Sequence, residues 1–181
     1  EGTEYLLALK GDPVSKTSLL STTIQTIMLL SRMLDPAQEP SRGLFGKRIF
    51  AFTDDIDVTN RLYFGMLDAE GRKNTGEADM VRHPNGGLAH LRQPLISRSR
   101  EHYGQNWSAP QYIGHDLSAC KEIGRTSSQD PGVIANLDIV VATASLEVGF
   151  NDPSVGAVIQ HKAPRNTASF LQRKGRAGRS R

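Results

Sequence analysis

The chain has 181 residues, 38% hydrophobic and 23% charged, which is ordinary for a globular protein and long enough for one domain with a real core. Its one cysteine, Cys120, excludes a disulfide framework and multi-thiolate zinc sites, and the five histidines show no ligand spacing. The formal net charge is +3, no apolar run approaches the roughly 20 residues of a membrane span, and no secretory leader is visible, so a cytoplasmic piece of a larger protein is expected.

From the N-terminus, Tyr5–Leu9 is a strand candidate, followed by a loop through Gly11-Asp12-Pro13. The run Gly11 to Lys16-Thr17 resembles a phosphate loop but fails as one, because Lys16 occupies the place of the second glycine. Ile24, Ile27 and Met28 fall at helical spacing, which predicts a helix over Thr22–Leu34, stopped by Asp35-Pro36. Lys47–Thr53 reads as a buried strand, and Ile56–Leu67 as a helix started by Asp54 or Asp55. An apolar strand ending in Asp-Asp also fits a magnesium site of the Walker B kind. Without a phosphate loop upstream it would have nothing to work against, and capping is the better reading.

Residues 68–118 are richer in Gly, Asn, Arg, His and Pro and show no regular period, as an irregular insertion would. Arg92, Arg98 and Arg100 could meet phosphates there, with Tyr103 or Trp107 stacking on a base. The alternative, that these aromatics pin the insertion to the domain, is favoured because aromatics most often bury area. The chain then returns as a strand at Cys120–Thr126 and a short helix at Val133–Leu137, opened by Asp130-Pro131. Arg125 and Ser127 fall at the carboxyl end of that strand and could hold successive phosphates, although turn chemistry explains Ser127-Ser128-Gln129 equally well.

The most informative stretch is the last. Ile139–Thr143 and Val155–Ile159 are apolar runs without alternation, as in strands buried on both faces of a parallel sheet. Ligands of such sheets lie at the carboxyl ends of the strands, here at Thr143 and His161. A polar helix follows over Asn166–Lys174, and then Gly175-Arg176-Ala177-Gly178-Arg179. Arginines three apart share a helical face, and guanidinium forks suit phosphate oxygens. A solvated basic helix end is the bland alternative. From Pro153 onward there is no acidic residue and there are seven basic ones, while the rest of the chain carries 15 basic against 19 acidic side chains, a net of −4. That asymmetry marks a polyanion-binding end, for nucleic acid or nucleotide.

Gln172, Gly175, Arg176, Gly178 and Arg179 match in full the Q-x-x-G-R-x-G-R motif VI of superfamily 2 helicases and translocases. Ala142, Thr143, Glu147, Gly149, Phe150 and Asn151 match their motif V, and Thr53 ends a strand like their weaker motif IV. Over some forty residues the chain therefore resembles the second RecA-like domain of that superfamily. The resemblance implies an α/β, RecA-like three-layer domain over residues 1–181, with a central, mainly parallel sheet and the irregular insertion. It implies that Arg179 and Arg176, with Gln172 beside them, act as arginine fingers on the γ-phosphate of ATP. It further implies that Glu147, Gly149 and Asn151 approach the nucleotide and that Thr143 and Thr53 meet the nucleic-acid backbone. ATP and Mg²⁺ would be held mainly by an N-terminal RecA-like partner domain, and no metal site is expected in this chain. Relatives often carry Asp where Asn151 stands, so a charged ribose contact is replaced by an amide. The lead-in Ala163–Leu171 is nearer in style to bacterial DNA helicases, including those of genome-defence or DNA-modification clusters, than to RNA-remodelling DEAD-box proteins. DNA is the expected partner over RNA. A non-catalytic nucleic-acid-binding module and a degenerate interaction scaffold are the rival readings.

Overall fold

A computed structural model describes residues 16–34, 46–79, 120–126, 136–144 and 151–178. The elements are α1 (Lys16–Met33), β1 (Arg48–Phe52), α2 (Ile56–Ala69), β2 (Ile123–Thr126), β3 (Ile139–Ala142), β4 (Val155–Gln160) and α3 (Thr167–Lys174). The four strands form one sheet in the order β2-β3-β1-β4, and every neighbouring pair is parallel. With α1 and α2 on one face and α3 near the other, this is the α/β, three-layer arrangement of a RecA-like domain. The strand candidate Tyr5–Leu9, the helix Val133–Leu137 up to its last two residues, and the insertion beyond Asp79 lie outside the described residues.

The sheet has two cores because its strands are covered on both sides. Ile49, Ala51, Ile123, Ile139 and Val141 face α1 and α2, where Ile27, Leu62, Met66 and Leu67 are buried against them. Phe50, Phe52, Val140, Ala142 and Val155 face the other way, and Ala177, just past α3, packs against them. Strict alternation along β4 would put Val155 with Ala157. The register instead steps from Arg48↔Val155 to Ile49↔Ala157, so Gly156 is an extra residue and Val155 turns to the second face.

Local signals account for the helix ends. Asp55 caps α2 by accepting from the backbone N–H groups of Asp57 and Val58, and Asn166 caps α3 through Ser169 N. α1 starts at Lys16, a turn and a half earlier than the expected Thr22, because Leu20 and Ile24 extend its apolar face onto the core. Thr23 and Thr26 are accommodated by bonding back to the carbonyls of Leu19 and Thr22, at 2.9 and 2.8 Å. A buried Arg32–Glu70 pair joins the ends of α1 and α2 at 2.5 and 2.8 Å, and Glu70 also accepts from Lys121 N ahead of β2. α2 runs through Ala69 into a turn closed by the Arg72–Ala78 bridge, which begins the irregular stretch. Among the described residues no helix is long and apolar enough to cross a membrane.

Candidate nucleic-acid and nucleotide interface

Parallel pairing brings the carboxyl ends of all four strands to one rim. Thr53 N donates to Ala142 O at 2.9 Å, Thr143 N to Thr126 O at 3.4 Å, and His161 N to Phe52 O at 2.9 Å. Thr53, Thr126, Thr143 and His161 therefore stand side by side, as expected for Thr53, Thr143 and His161. Their side chains are not equally presented. Thr143 is half-buried at the rim. Thr53 is fully buried, with its hydroxyl 2.5 Å from that of Thr59 and 3.1 Å from the Asp55 carbonyl. Its hydroxyl is engaged at the start of α2 and is not presented at the surface of the rim.

His161 is also turned inward, its Nδ1 2.9 Å from Thr23 Oγ1 on α1. If the Thr23 hydroxyl proton goes to the Leu19 carbonyl, the imidazole Nδ1–H donates to Thr23. Burial, and then the neighbouring Lys162 charge, hold the His161 pKa below its ordinary value. The ring is thereby kept neutral. Arg125 is exposed at the β2 edge of the rim. Its guanidinium lies 5.2 Å from the Tyr63 ring centre and 5.7 Å from that of Phe64, and Nη1 donates to Asn60 Oδ1 at 2.6 Å. That stacking fixes the fork without burying it, so the cation remains available to a polyanion.

The opposite end of the sheet is organised around Arg48. It pairs with Asp152, and its Nε donates to Leu137 O at 2.7 Å, tying the entry of β4 to that of β3. Asp152 Oδ1 also accepts from the Ser154 N–H and hydroxyl at 2.8 and 2.6 Å. Burial alone would raise the Asp152 pKa, but the Ser154 hydrogen bonds and the Arg48 charge outweigh it and hold the carboxyl below its ordinary range. Asn151, the last residue of motif V, is exposed just ahead of this cluster.

Motif VI connects the two ends. α3 starts beside the rim, and after it Gly178 N donates to Val155 O at 3.0 Å, at the beginning of β4. The turn of motif VI thus comes down beside the residues that follow Asn151. Gly178 has φ +69, and a Cβ there would meet nothing within 4 Å, so the turn is open on its outer side. Gln172 is exposed on α3, whereas Arg176 is only 9% exposed and is held against the domain. Arg179, Glu147, Gly149 and Ser127 lie outside the described residues.

One residue central to this geometry escapes sequence reasoning. Arg173 is 3% exposed, with Nη2 on Asp54 Oδ1 and Nη1 on Gln160 Oε1, above the Phe52 ring. In a basic tract it reads as one more solvated cation. Among the described residues no three His, Cys, Asp or Glu side chains converge as metal ligands. Asp54 is engaged by Arg173 and Asp55 by the α2 N-terminus, in keeping with capping rather than a Walker B role.

A parallel, two-sided sheet with a polar rim and a basic helix returning along its edge strand defines an α/β domain of RecA-like architecture. Residues 129–181 match the family described as the helicase conserved C-terminal domain. An Lhr helicase of Mycolicibacterium smegmatis is 44% identical over 77 residues, covering 41% of this chain and 5% of that protein. A protein of Caenorhabditis briggsae named for the ATP-dependent DNA helicase Q1 is 32% identical over 65 residues, covering 36% of this chain and 10% of that protein. No solved structure matches the chain. The chain spans a small part of the curated relatives it matches, and over residues 129–181 it is similar to the C-terminal domain of superfamily 2 helicases.

Proposed function

We propose that this chain is the C-terminal half of an ATP-dependent superfamily 2 helicase or translocase that acts on DNA in preference to RNA. The observation that carries the reading is the return of motif VI to the start of β4. The Gly178–Val155 hydrogen bond sets that turn beside Asn151, while Thr143 and Arg125 stand at the opposite rim. One end of the sheet is then suited to a nucleotide and the other to a strand of nucleic acid.

When bound, ATP would supply a γ-phosphoryl group for hydrolysis by water, and the residues present fit a part of its site. Asn151 offers an exposed amide to a ribose hydroxyl, and the glycine turn at 178 leaves open space beside it. By motif position, Glu147 and Gly149 complete that edge, Gln172 flanks the turn, and Arg179 supplies the guanidinium that reaches across the cleft. Arg176, held against the domain, braces the turn and adds positive charge at its base. The Mg²⁺ carboxylates and the phosphate loop are assigned to the N-terminal RecA-like domain, so this chain alone should not turn over ATP. At the rim, Thr143, Arg125 and Ser127 hold the strand, and closure moves it. The DNA preference draws on the lead-in to motif VI and on the name of the second relative.

The test uses the parent protein. Arg179→Ala should lower ATPase turnover by about 10³-fold or more while DNA affinity changes little, as for arginine fingers elsewhere. Thr143→Val should weaken DNA binding and leave unstimulated turnover in place. Intact turnover in Arg179→Ala would refute the finger assignment. Salt-dependent DNA binding that nucleotide never alters would favour the non-catalytic binding module instead.

A further inference from the structure

Arg173 lies inside motif VI, and none of the roles above uses it. Its placement is over-determined. Nη2 donates to Asp54 Oδ1 at 2.5 Å, Nη1 to Gln160 Oε1 at 2.6 Å, and the guanidinium carbon stands 5.3 Å from the Phe52 ring centre. The arginine side chain is 4% exposed, whereas that of Asp54 is 23% exposed, so the pair runs from the interior to solvent. Asp54 is the first residue after the rim position Thr53. Its carbonyl also accepts from Arg165 Nη2 at 3.4 Å, so side chains from both sides of the first turns of α3 reach this one residue. Five residues past Arg173, Gly178 is bonded to the start of β4. A buried guanidinium is costly unless its charge is matched, and here the matching charge stands at the nucleic-acid rim.

We propose that Arg173 is a positioning residue that ties the rim at Asp54 to the Arg176–Gly178 turn, so that a strand on the rim sets the placement of motif VI. This rests on the helicase reading given above. A phosphate arriving beside Asp54 repels its carboxylate and competes for the exposed Arg165 fork. The first acts on the carboxylate that Arg173 depends on, and the second loosens the hold on the carbonyl of the same residue. That differential contact is what a ligand needs to shift an equilibrium between two arrangements. The guanidinium bridges two acceptors with separate nitrogens, which an ammonium on a flexible stem does not reproduce.

The experiment measures ATPase turnover of the parent protein with and without saturating single-stranded DNA, together with DNA affinity and melting temperature. The variants are Asp54→Asn, which keeps an acceptor and removes the charge, and Arg173→Lys, which keeps the charge and loses the fork. Both should retain unstimulated turnover within about twofold while the DNA-stimulated ratio falls about tenfold, a typical size for coupling between two sites. The tightening or loosening of DNA binding by a non-hydrolysable ATP analogue should shrink as well. A wild-type stimulation ratio in both variants would overturn the proposal and leave the helicase reading intact. Equal loss of stimulated and unstimulated turnover would also overturn it, since that reports a structural role only. A wild-type parent protein with no ATPase would overturn both.

Discussion

Replacing Glu70 by alanine tests the strongest electrostatic claim made by the fold. Arg32 and Glu70 are 1% and 0% exposed and meet through two parallel hydrogen bonds, at the junction of α1, α2 and the approach to β2. Removing one partner leaves a charge in a place that water does not reach, which costs about 3–5 kcal/mol. Glu70→Ala also takes the acceptor from Lys121 N–H, about 1–3 kcal/mol if no water replaces it. Set against a typical domain stability of about 5–15 kcal/mol, a single substitution removes a third or more. The double variant Arg32→Met/Glu70→Leu removes both charges and keeps the volume, so the main losses should be the acceptor of the Lys121 amide, at about 1–3 kcal/mol, and the Arg32 bond to the Ser31 hydroxyl. The double variant should therefore be more stable than Glu70→Ala. Urea unfolding followed by circular dichroism, with the slope checked for constancy, measures all three proteins and the single Arg32→Met. Single variants within 1 kcal/mol of wild type, or a double variant that costs the sum of the singles, would refute the claim that pairing is what makes these charges tolerable.

Two glycines should separate by what stands next to them: Gly46, at φ +80 with the Ser154 carbonyl 2.4 Å from a Cβ, should lose about 3 kcal/mol or more as alanine. Gly65→Ala, which meets only the tip of Ile24, should stay within about 1 kcal/mol of wild type, since gained helix propensity offsets the displaced rotamer; equal urea midpoints for the two variants would contradict this. The His161 pKa is lowered in the folded protein, so its contribution to stability is complete above the ordinary value of 6.5 and is lost as pH falls from there toward the folded value. His161→Gln should flatten the dependence of the urea midpoint on pH between 7 and 5, and an unchanged slope would count against the buried neutral ring. Asp152, also lowered, should protect the fold above the ordinary carboxylate range and cease to do so in stronger acid, a loss that Asp152→Asn abolishes in acid titrations followed by circular dichroism.

What could be read in advance followed from short-range chemistry. Ile139–Ala142 lacks alternation because both of its faces are covered, and that run needed no knowledge of its neighbours. The starts of α2 and α3 are legible, at Asp54 or Asp55 and at Asn166, because a cap bonds two or three residues ahead; the structure selects Asp55 for α2. The features that escaped depend on partners far away in the chain. Glu70 is the residue after a helix end and Arg32 one of several basic residues, and nothing local says that they meet across 38 positions. Arg173 and Asp54 are 119 positions apart. Thr53 was expected to show its hydroxyl to a phosphate because it ends a strand at the rim. The competing partner, Thr59, lies only six residues on, so helix-start geometry won a contest that the spacing could have signalled. The face change at Val155 depends on one extra residue, Gly156, and a bulge leaves little trace in an apolar run.

The two ends of this sheet differ in what they can tolerate. At the rim stand hydroxyls, backbone amides and the stacked Arg125 fork, groups whose chemistry suits phosphate rather than a base edge. At the far end the Arg48–Asp152–Ser154 cluster is closed on itself, with Asp152 already serving three donors. A carboxylate so occupied has little left for a further partner, and Asn151 ahead of it is exposed. An amide both donates and accepts, so it can serve a hydroxyl without adding a second negative charge next to Asp152. A carboxylate at position 151 would stand beside one already held charged by Arg48 and Ser154, and the two would repel. On this argument the amide at position 151 is a local electrostatic accommodation to Asp152.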